Sequence, residues 1–115
     1  LIKAFRKDAI AITDLKEIID RTAYSVITQL ELLIGANTLK KKEAINKVFE
    51  SYYGIPLNST ISATAIQIMQ KYVDGQRVIS VPDCLIAATS IATGYPLFTY
   101  NKKDFDFIEG INLYK

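Results

Sequence analysis

The chain has 115 residues, half of them apolar, with 14 Lys plus Arg against 12 Asp plus Glu and a formal net charge of +2. That is the makeup of one soluble globular domain, long enough to bury roughly two thirds of its unfolded surface without disulfides or a structural metal. With no His and the single Cys84, histidine general bases, histidine–zinc sites and Ser–His or Cys–His pairs are excluded. Chemistry falls to carboxylates, amides, hydroxyls, lysines or a metal held by oxygen. The charge is too small to announce a nucleic-acid protein by electrostatics alone. No apolar run approaches the ~20 residues that span a bilayer, and the amino end lacks a signal-peptide layout, so the expected setting is cytoplasmic with no membrane partner.

The chain opens at Leu1 in a helix-like phrase, Leu1-Ile2-Lys3-Ala4-Phe5-Arg6-Lys7. Leu15, Ile18 and Ile19 behind Thr13-Asp14 predict a half-buried surface helix. So do Ile45, Val48, Phe49 and Tyr52 behind the basic run Lys40-Lys41-Lys42. A third such helix covers Ser59 to Asp74, with Ile61, Ala65, Ile68, Met69 and Tyr72 on one side and Gly75 placed to cap it. Thr28 to Ala36 and Pro82 to Ala92 are apolar almost all round and are expected to be buried. Short strands are predicted at Ala23–Ile27, Ile55–Asn58, Pro96–Tyr100 and Ile111–Tyr114. The corner Gly54-Ile55-Pro56-Leu57 recurs as Gly94-Tyr95-Pro96-Leu97, each glycine expected to end a helix in the left-handed region before proline admits a strand. Strands alternating with helices imply parallel βαβ units, a sheet between helix layers.

Most acids sit among polar neighbours or near helix ends and need no role. Glu31 is different. It lies between Leu30 and Leu32 with Ile27 and Ile34 above and below it, and an unpaired buried carboxylate costs several kcal/mol or more. An internal salt bridge, or a helix end that tips it into water, would account for it; so would a ligand. Asp83 has a local explanation: Ser80-Val81-Pro82-Asp83 fits a capping box. Asn101 and Asp104 read individually as turn residues, Asn101 tolerating a left-handed backbone and Asp104 capping a short turn. Jointly, all four fall just after a predicted strand or at the start of a helix near one, the edge where open parallel sheets bind ligands. Oxygen donors without histidine or thiolate suit Mg²⁺ or Mn²⁺. Cys84 reads as a small buried hydrophobe with no reactivity.

Three segments in order, Ser25-Val26-Ile27-Thr28-Gln29-Leu30-Glu31-Leu32-Leu33-Ile34-Gly35, Asp83-Cys84-Leu85-Ile86-Ala87-Ala88, and Pro96-Leu97-Phe98-Thr99-Tyr100-Asn101-Lys102-Lys103-Asp104-Phe105, resemble the PIN domains of VapC-type toxins. The resemblance implies an α/β/α fold with a short parallel sheet flanked by helices. It also implies a metal-dependent ribonuclease whose acids hold Mg²⁺ or Mn²⁺ and cleave RNA through an activated water. By motif, Glu31 matches the acid of the Ser-x-Ile-Thr-x-x-Glu helix and Asp83 the aspartate opening Asp-x-Leu-Ile-Ala-Ala. Asn101 takes the position after the last catalytic strand, with Asp104 as an additional acid. A homodimer restrained by a cognate antitoxin is implied as well. The family's opening strand ends in a metal-ligating aspartate, and this chain starts where that phrase finishes. The expectation is therefore one PIN-like domain over residues 1–115 lacking the first strand and first aspartate, with metal binding and catalysis weakened or absent. The competing expectation is a non-catalytic module that keeps the antitoxin and dimer surfaces. Lys102, Lys103 and Arg6, with Lys3 and Lys7, are candidates for phosphate contacts. Tyr95, Tyr100 and Phe105 are candidates for base stacking, against a core or rim role. No glycine-rich phosphate loop is present, which counts against a nucleotide-binding domain.

Overall fold

The structure, a computed structural model, describes residues 2–4, 23–50 and 53–114. Four strands, β1 (Ile2–Ala4), β2 (Ala23–Ser25), β3 (Tyr53–Ile55) and β4 (Leu97–Thr99), pair in parallel in the order β3-β2-β1-β4. Helices α1 (Val26–Ile34), α2 (Leu39–Phe49), α3 (Ser59–Tyr72) and α4 (Val81–Thr93) connect and cover them. A 3-10 turn, Lys102–Asp104, follows β4. Beyond it the chain returns to the outer side of β4, where Leu97 N–H donates to Asn112 O and Tyr114 N–H to Leu97 O, both at 2.8 Å. The mixed α/β class is as expected.

Two expectations at the amino end are corrected. Ile2–Ala4 is strand and not helix, and it fills the central position expected to be vacant, Ile2 standing between Ala23 of β2 and Leu97 of β4. The reason is the ladder. β2 and β4 each turn a row of backbone donors and acceptors toward this gap, and a strand between them satisfies both rows. The helix expected around Leu15–Ile19, with Arg6, Lys7, Asp8 and Asp14, lies outside the described residues, as does Tyr52.

β2 and β4 are shorter than predicted, β3 meets the expected Ile55–Asn58 only at Ile55, and of the expected strand Ile111–Tyr114 only Leu113 forms a bridge, to Leu97. Ser25 closes β2 and caps α1, its Oγ accepting from Ile27 N–H at 3.2 Å. Asn58 caps α3 through Oδ1, accepting from Ile61 N–H at 2.8 Å. Gly94 is in the left-handed region, φ 77°, and its N–H donates to Ser90 O at 2.9 Å, ending α4 as expected. Gly54 does not repeat this. It lies inside β3, opposite Tyr24 of β2. A Cβ there would stand 3.0 Å from the Tyr24 hydroxyl oxygen and 3.1 Å from Cζ. Glycine is required by a ring lying over the strand and not by backbone handedness.

Alternation along β2 separates two cores. Ala23 joins the larger cluster, with Ile55, Ile61, Ile68, Ile79, Ile86, Leu97 and Phe105, whereas Tyr24 packs on the smaller one of Leu32, Ala36, Ile45 and Phe49. Because successive strand side chains face opposite ways, the sheet has helices on both sides. The α3–α4 contact is the heart of the larger core. Ile61, Ala87 and Ala88 are fully buried there, small residues on α4 letting the helices close. Of the two helices expected to be buried, α4 is. The other, α1, buries only Thr28 and Leu32 and leaves Leu30 50% and Ile34 70% exposed, because it leans on α2 and α4 from the outside.

The Tyr24 ring is held on three sides, against Phe49 (centroids 4.5 Å apart), by its hydroxyl to Gln29 Oε1 at 3.1 Å, and by the strand it covers. Gly54→Ala is therefore expected to destabilise the protein by about 1–3 kcal/mol, the usual cost of overpacking, read by urea unfolding. In a Tyr24→Ala background the same change should cost nothing.

Candidate functional site

Parallel strands bring all their carboxyl ends to one edge of the sheet. β2 leaves that edge straight into α1, which carries Glu31 in its second turn. β4 leaves it into Asn101 and the 3-10 turn that ends at Asp104. Helix α4 reaches β4 through only Gly94, Tyr95 and Pro96, so it runs against the strands and its amino end, with Asp83, returns to the same edge.

Local chemistry explains each placement. Ser80 is the N-cap of α4 and its Oγ accepts from Asp83 N–H at 3.2 Å. Pro82 sits in the first turn, where a missing N–H is harmless. The half of the capping box read from sequence that involves the serine is thus present, and the helix dipole favours negative charge at Asp83. Asn101 N–H donates to Thr99 Oγ1 at 3.0 Å, and Asn101 O accepts from Asp104 N–H at 3.0 Å. Its φ of −114° corrects the expected left-handed backbone; the Thr99 hydroxyl shapes the turn instead. Phe105 is 2% exposed and belongs to the core, which removes it as a stacking platform. Tyr95 and Tyr100 are 44% and 47% exposed. Glu31, Asp83, Asn101 and Asp104 are all half-buried, and Lys102 and Lys103 are exposed.

Asn101 and Asp104 are brought together within one turn, and Glu31 approaches on a helix that packs against α4. A larger convergence is not seen: among the described residues, no three Asp, Glu, His or Cys side chains form a group able to hold a metal ion. The donor set fits a hard divalent ion in kind, being oxygen only. A Mg²⁺-like ion commonly takes one or two carboxylates and completes its shell with water and phosphate oxygens. The strand that occupies the centre of this edge, Ile2-Lys3-Ala4, contains no acid.

A feature with no sequence signal lies beside the turn. Arg77, in the connector from α3 to α4, donates from Nη2 to Lys103 O and to Asp106 Oδ1, each at 3.0 Å. The Tyr72 hydroxyl donates to Phe107 O at 3.1 Å and accepts from Glu109 N–H at 2.8 Å, with Lys71 and Glu109 paired alongside. Partners separated by 26 to 38 positions leave no periodicity to read.

An open parallel sheet with helices on both faces and acids at its carboxyl edge defines a class of ligand-binding α/β domains. The PIN domain family model matches residues 1–110, and the chain belongs to that family. It is 29% identical over 94 residues to Ribonuclease VapC1 of Methanocaldococcus jannaschii, covering 80% of this chain and 69% of that protein. Among solved structures it is similar to VapBC2 from Rickettsia felis bound to a DNA fragment from their promoter, at TM-score 0.78, 22% identity, and coverage of 99% and 98% of the two chains. It is also similar to DNA-bound VapBC from Salmonella typhimurium, at TM-score 0.79, 20% identity, and coverage of 98% and 96%.

Two outcomes follow from the geometry at the start of α4. Ser80→Ala is expected to cost about 1 kcal/mol, the ordinary value of an N-cap, in a denaturant titration. Cys84, 3% exposed with Sγ donating to Ala65 O, has its thiol pushed above the ordinary value of 9.0 by burial. The folded state then keeps the proton longer than the unfolded state. The stabilisation is complete below pH 9.0 and is lost as pH rises through the folded value. Cys84→Ala should remove that alkaline decline in Tm.

Proposed function

We propose that the chain is a ribonuclease of the VapC type, hydrolysing RNA phosphodiester bonds with Mg²⁺ or Mn²⁺ as the toxin of a toxin–antitoxin pair. The observation that carries the reading is the parallel strand order, in which the elements bearing Glu31, Asp83, Asn101 and Asp104 all reach one edge. The PIN match and the likeness to a protein named Ribonuclease VapC1 support it.

In this reading Glu31 and Asp83 supply the carboxylate oxygens that hold the ion, with Asp104 in reserve. The Asn101 amide adds an oxygen without adding repulsion. Bound there, Mg²⁺ or Mn²⁺ would activate a water and screen the charge that gathers on the phosphate. Lys102 and Lys103, exposed on the same turn, meet the RNA backbone, a contact that weakens with salt. Arg6 is proposed for the same role from sequence alone.

A cognate antitoxin protein is the proposed partner, as in the VapBC complexes named above, together with a homodimer. Support comes from apolar side chains left on the surface around α1, Leu30, Ile34 and Leu39, the last 72% exposed. No helix among the described residues is long and apolar enough to cross a membrane.

One observation favours the second reading, a PIN-like module without catalysis: no three-acid group stands among the described residues. RNA cleavage assays separate the two. The nuclease is expected to cut RNA only with Mg²⁺ or Mn²⁺, to stop on chelation, and to lose on the order of 10²-fold or more in rate in Asp83→Asn and in Glu31→Gln. Mn²⁺ should also raise Tm by mass action, an effect absent in Asp83→Asn. Metal-independent cleavage, or full activity in both variants, overturns the reading; no cleavage and no rise in Tm establishes the module.

A further inference from the structure

Between the α3–α4 connector and the turn after β4 the surface opens into a cleft of about 560 Å³ whose lining includes Arg77, Val78, Lys103, Asp104, Asp106 and Phe107. Arg77 crosses it. Besides its two bonds from Nη2 to Lys103 O and Asp106 Oδ1, its guanidinium carbon lies 5.0 Å from the centre of the Phe107 ring. The connector that carries it runs on through buried Ile79 to Ser80, the cap that holds Asp83 N–H. The segment it grips starts one residue after Asn101 and contains Asp104.

The turn has its own backbone bonds: Asp104 N–H to Asn101 O, with Phe105 N–H and Asp106 N–H both to Lys102 O. These set its shape. They do not set where that shape sits relative to α4, which takes a tie from outside the turn. Phe105 anchors the far side in the core, and Arg77 ties the near side to the segment that leads to Asp83. A planar guanidinium can donate two bonds from Nη2 in its own plane while its flat face lies on a ring; a lysine ammonium has donors enough but no flat face to stack. Arg77 and Asp106 are about half exposed, at 53% and 49%, so the pair contributes little to global stability and its consequence is placement.

We infer that Arg77 is a positioning residue of the candidate site, a strap that fixes Asn101 and Asp104 relative to the helix end bearing Asp83. What the positioned groups bind rests on the nuclease reading above. The strap itself does not.

The sign of one measurement separates positioning from mere charge. As a point charge near a cation site, Arg77 opposes Mn²⁺, so deleting it would tighten binding; as a strap it favours Mn²⁺, so deleting it weakens binding. In the full chain, titrated calorimetrically with Mn²⁺ alone, Arg77→Ala is expected to bind on the order of 10-fold more weakly. The loss should survive high salt, where a charge effect is screened. Arg77→Lys, which keeps the charge without the fork, should recover only part of the loss, and Asp106→Asn, which keeps an acceptor oxygen, should lose little. Native-state trypsin cleavage after Lys102 and Lys103 should be faster in Arg77→Ala with Tm nearly unchanged. Where the unsubstituted protein binds Mn²⁺, equal or tighter binding in Arg77→Ala overturns the inference; unchanged cleavage overturns it in either case. If the unsubstituted protein binds no Mn²⁺ yet Arg77→Ala is cut faster, the nuclease reading fails and the strap stands. Should Arg77→Ala not fold, Arg77→Lys carries the same comparisons.

Discussion

Over its middle, helix α4 has no face to give to water, and the rest of the molecule is arranged to accommodate it. Ile86, Ala87, Ala88, Thr89 and Ser90 are consecutive and each no more than 2% exposed. Five residues exceed one turn, so the burial goes round the helix. Their hydroxyls are satisfied locally, Thr89 donating to Leu85 O at 2.7 Å and Ser90 to Tyr95 O at 2.6 Å. The amino end cannot be sealed in the same way, because its first N–H groups need acceptors. Ser80 satisfies one of them. A buried body with an open end is what presents Asp83 at the edge of the sheet.

That edge is defined by strands of only three residues each. Such strands supply few ladder bonds, and their parallel order depends on the helices that cross between them. The consequence is directional. Each strand end and the start of α4 open on the same side. The elements that carry Glu31, Asp83 and Asn101 are therefore directed to one edge by topology and not by closeness in sequence, while no three acids among the described residues form a group able to hold a metal ion.

The turn that follows β4 is basic, with Lys102 and Lys103 exposed beside half-buried Asp104. Long-range ties, Arg77 to Lys103 and Asp106, and Tyr72 to Phe107 and Glu109, hold the segment that follows β4. Leu30 and Ile34 on α1 are exposed apolar side chains, a surface of different chemistry.

Local physics was legible in the residues. Gly94 needed a left-handed backbone because a helix ended before a proline. Ser80 announced a cap, and the small and apolar run from Cys84 to Ala92 announced a buried helix. Glu31 stands out in the sequence for its apolar neighbours, and Asp83, Asn101 and Asp104 for their places at a helix start or after a strand; their joint role stays a proposal. What depends on distant neighbours was not legible. Ile2–Ala4 became a strand because β2 and β4 left a gap that only paired backbone could fill. Gly54 was set by a tyrosine ring on the adjoining strand. Helix α1 kept Leu30 and Ile34 outside although it is as apolar as α4, since burial depends on what packs around a helix. Arg77 met its partners only after the chain had folded back on itself.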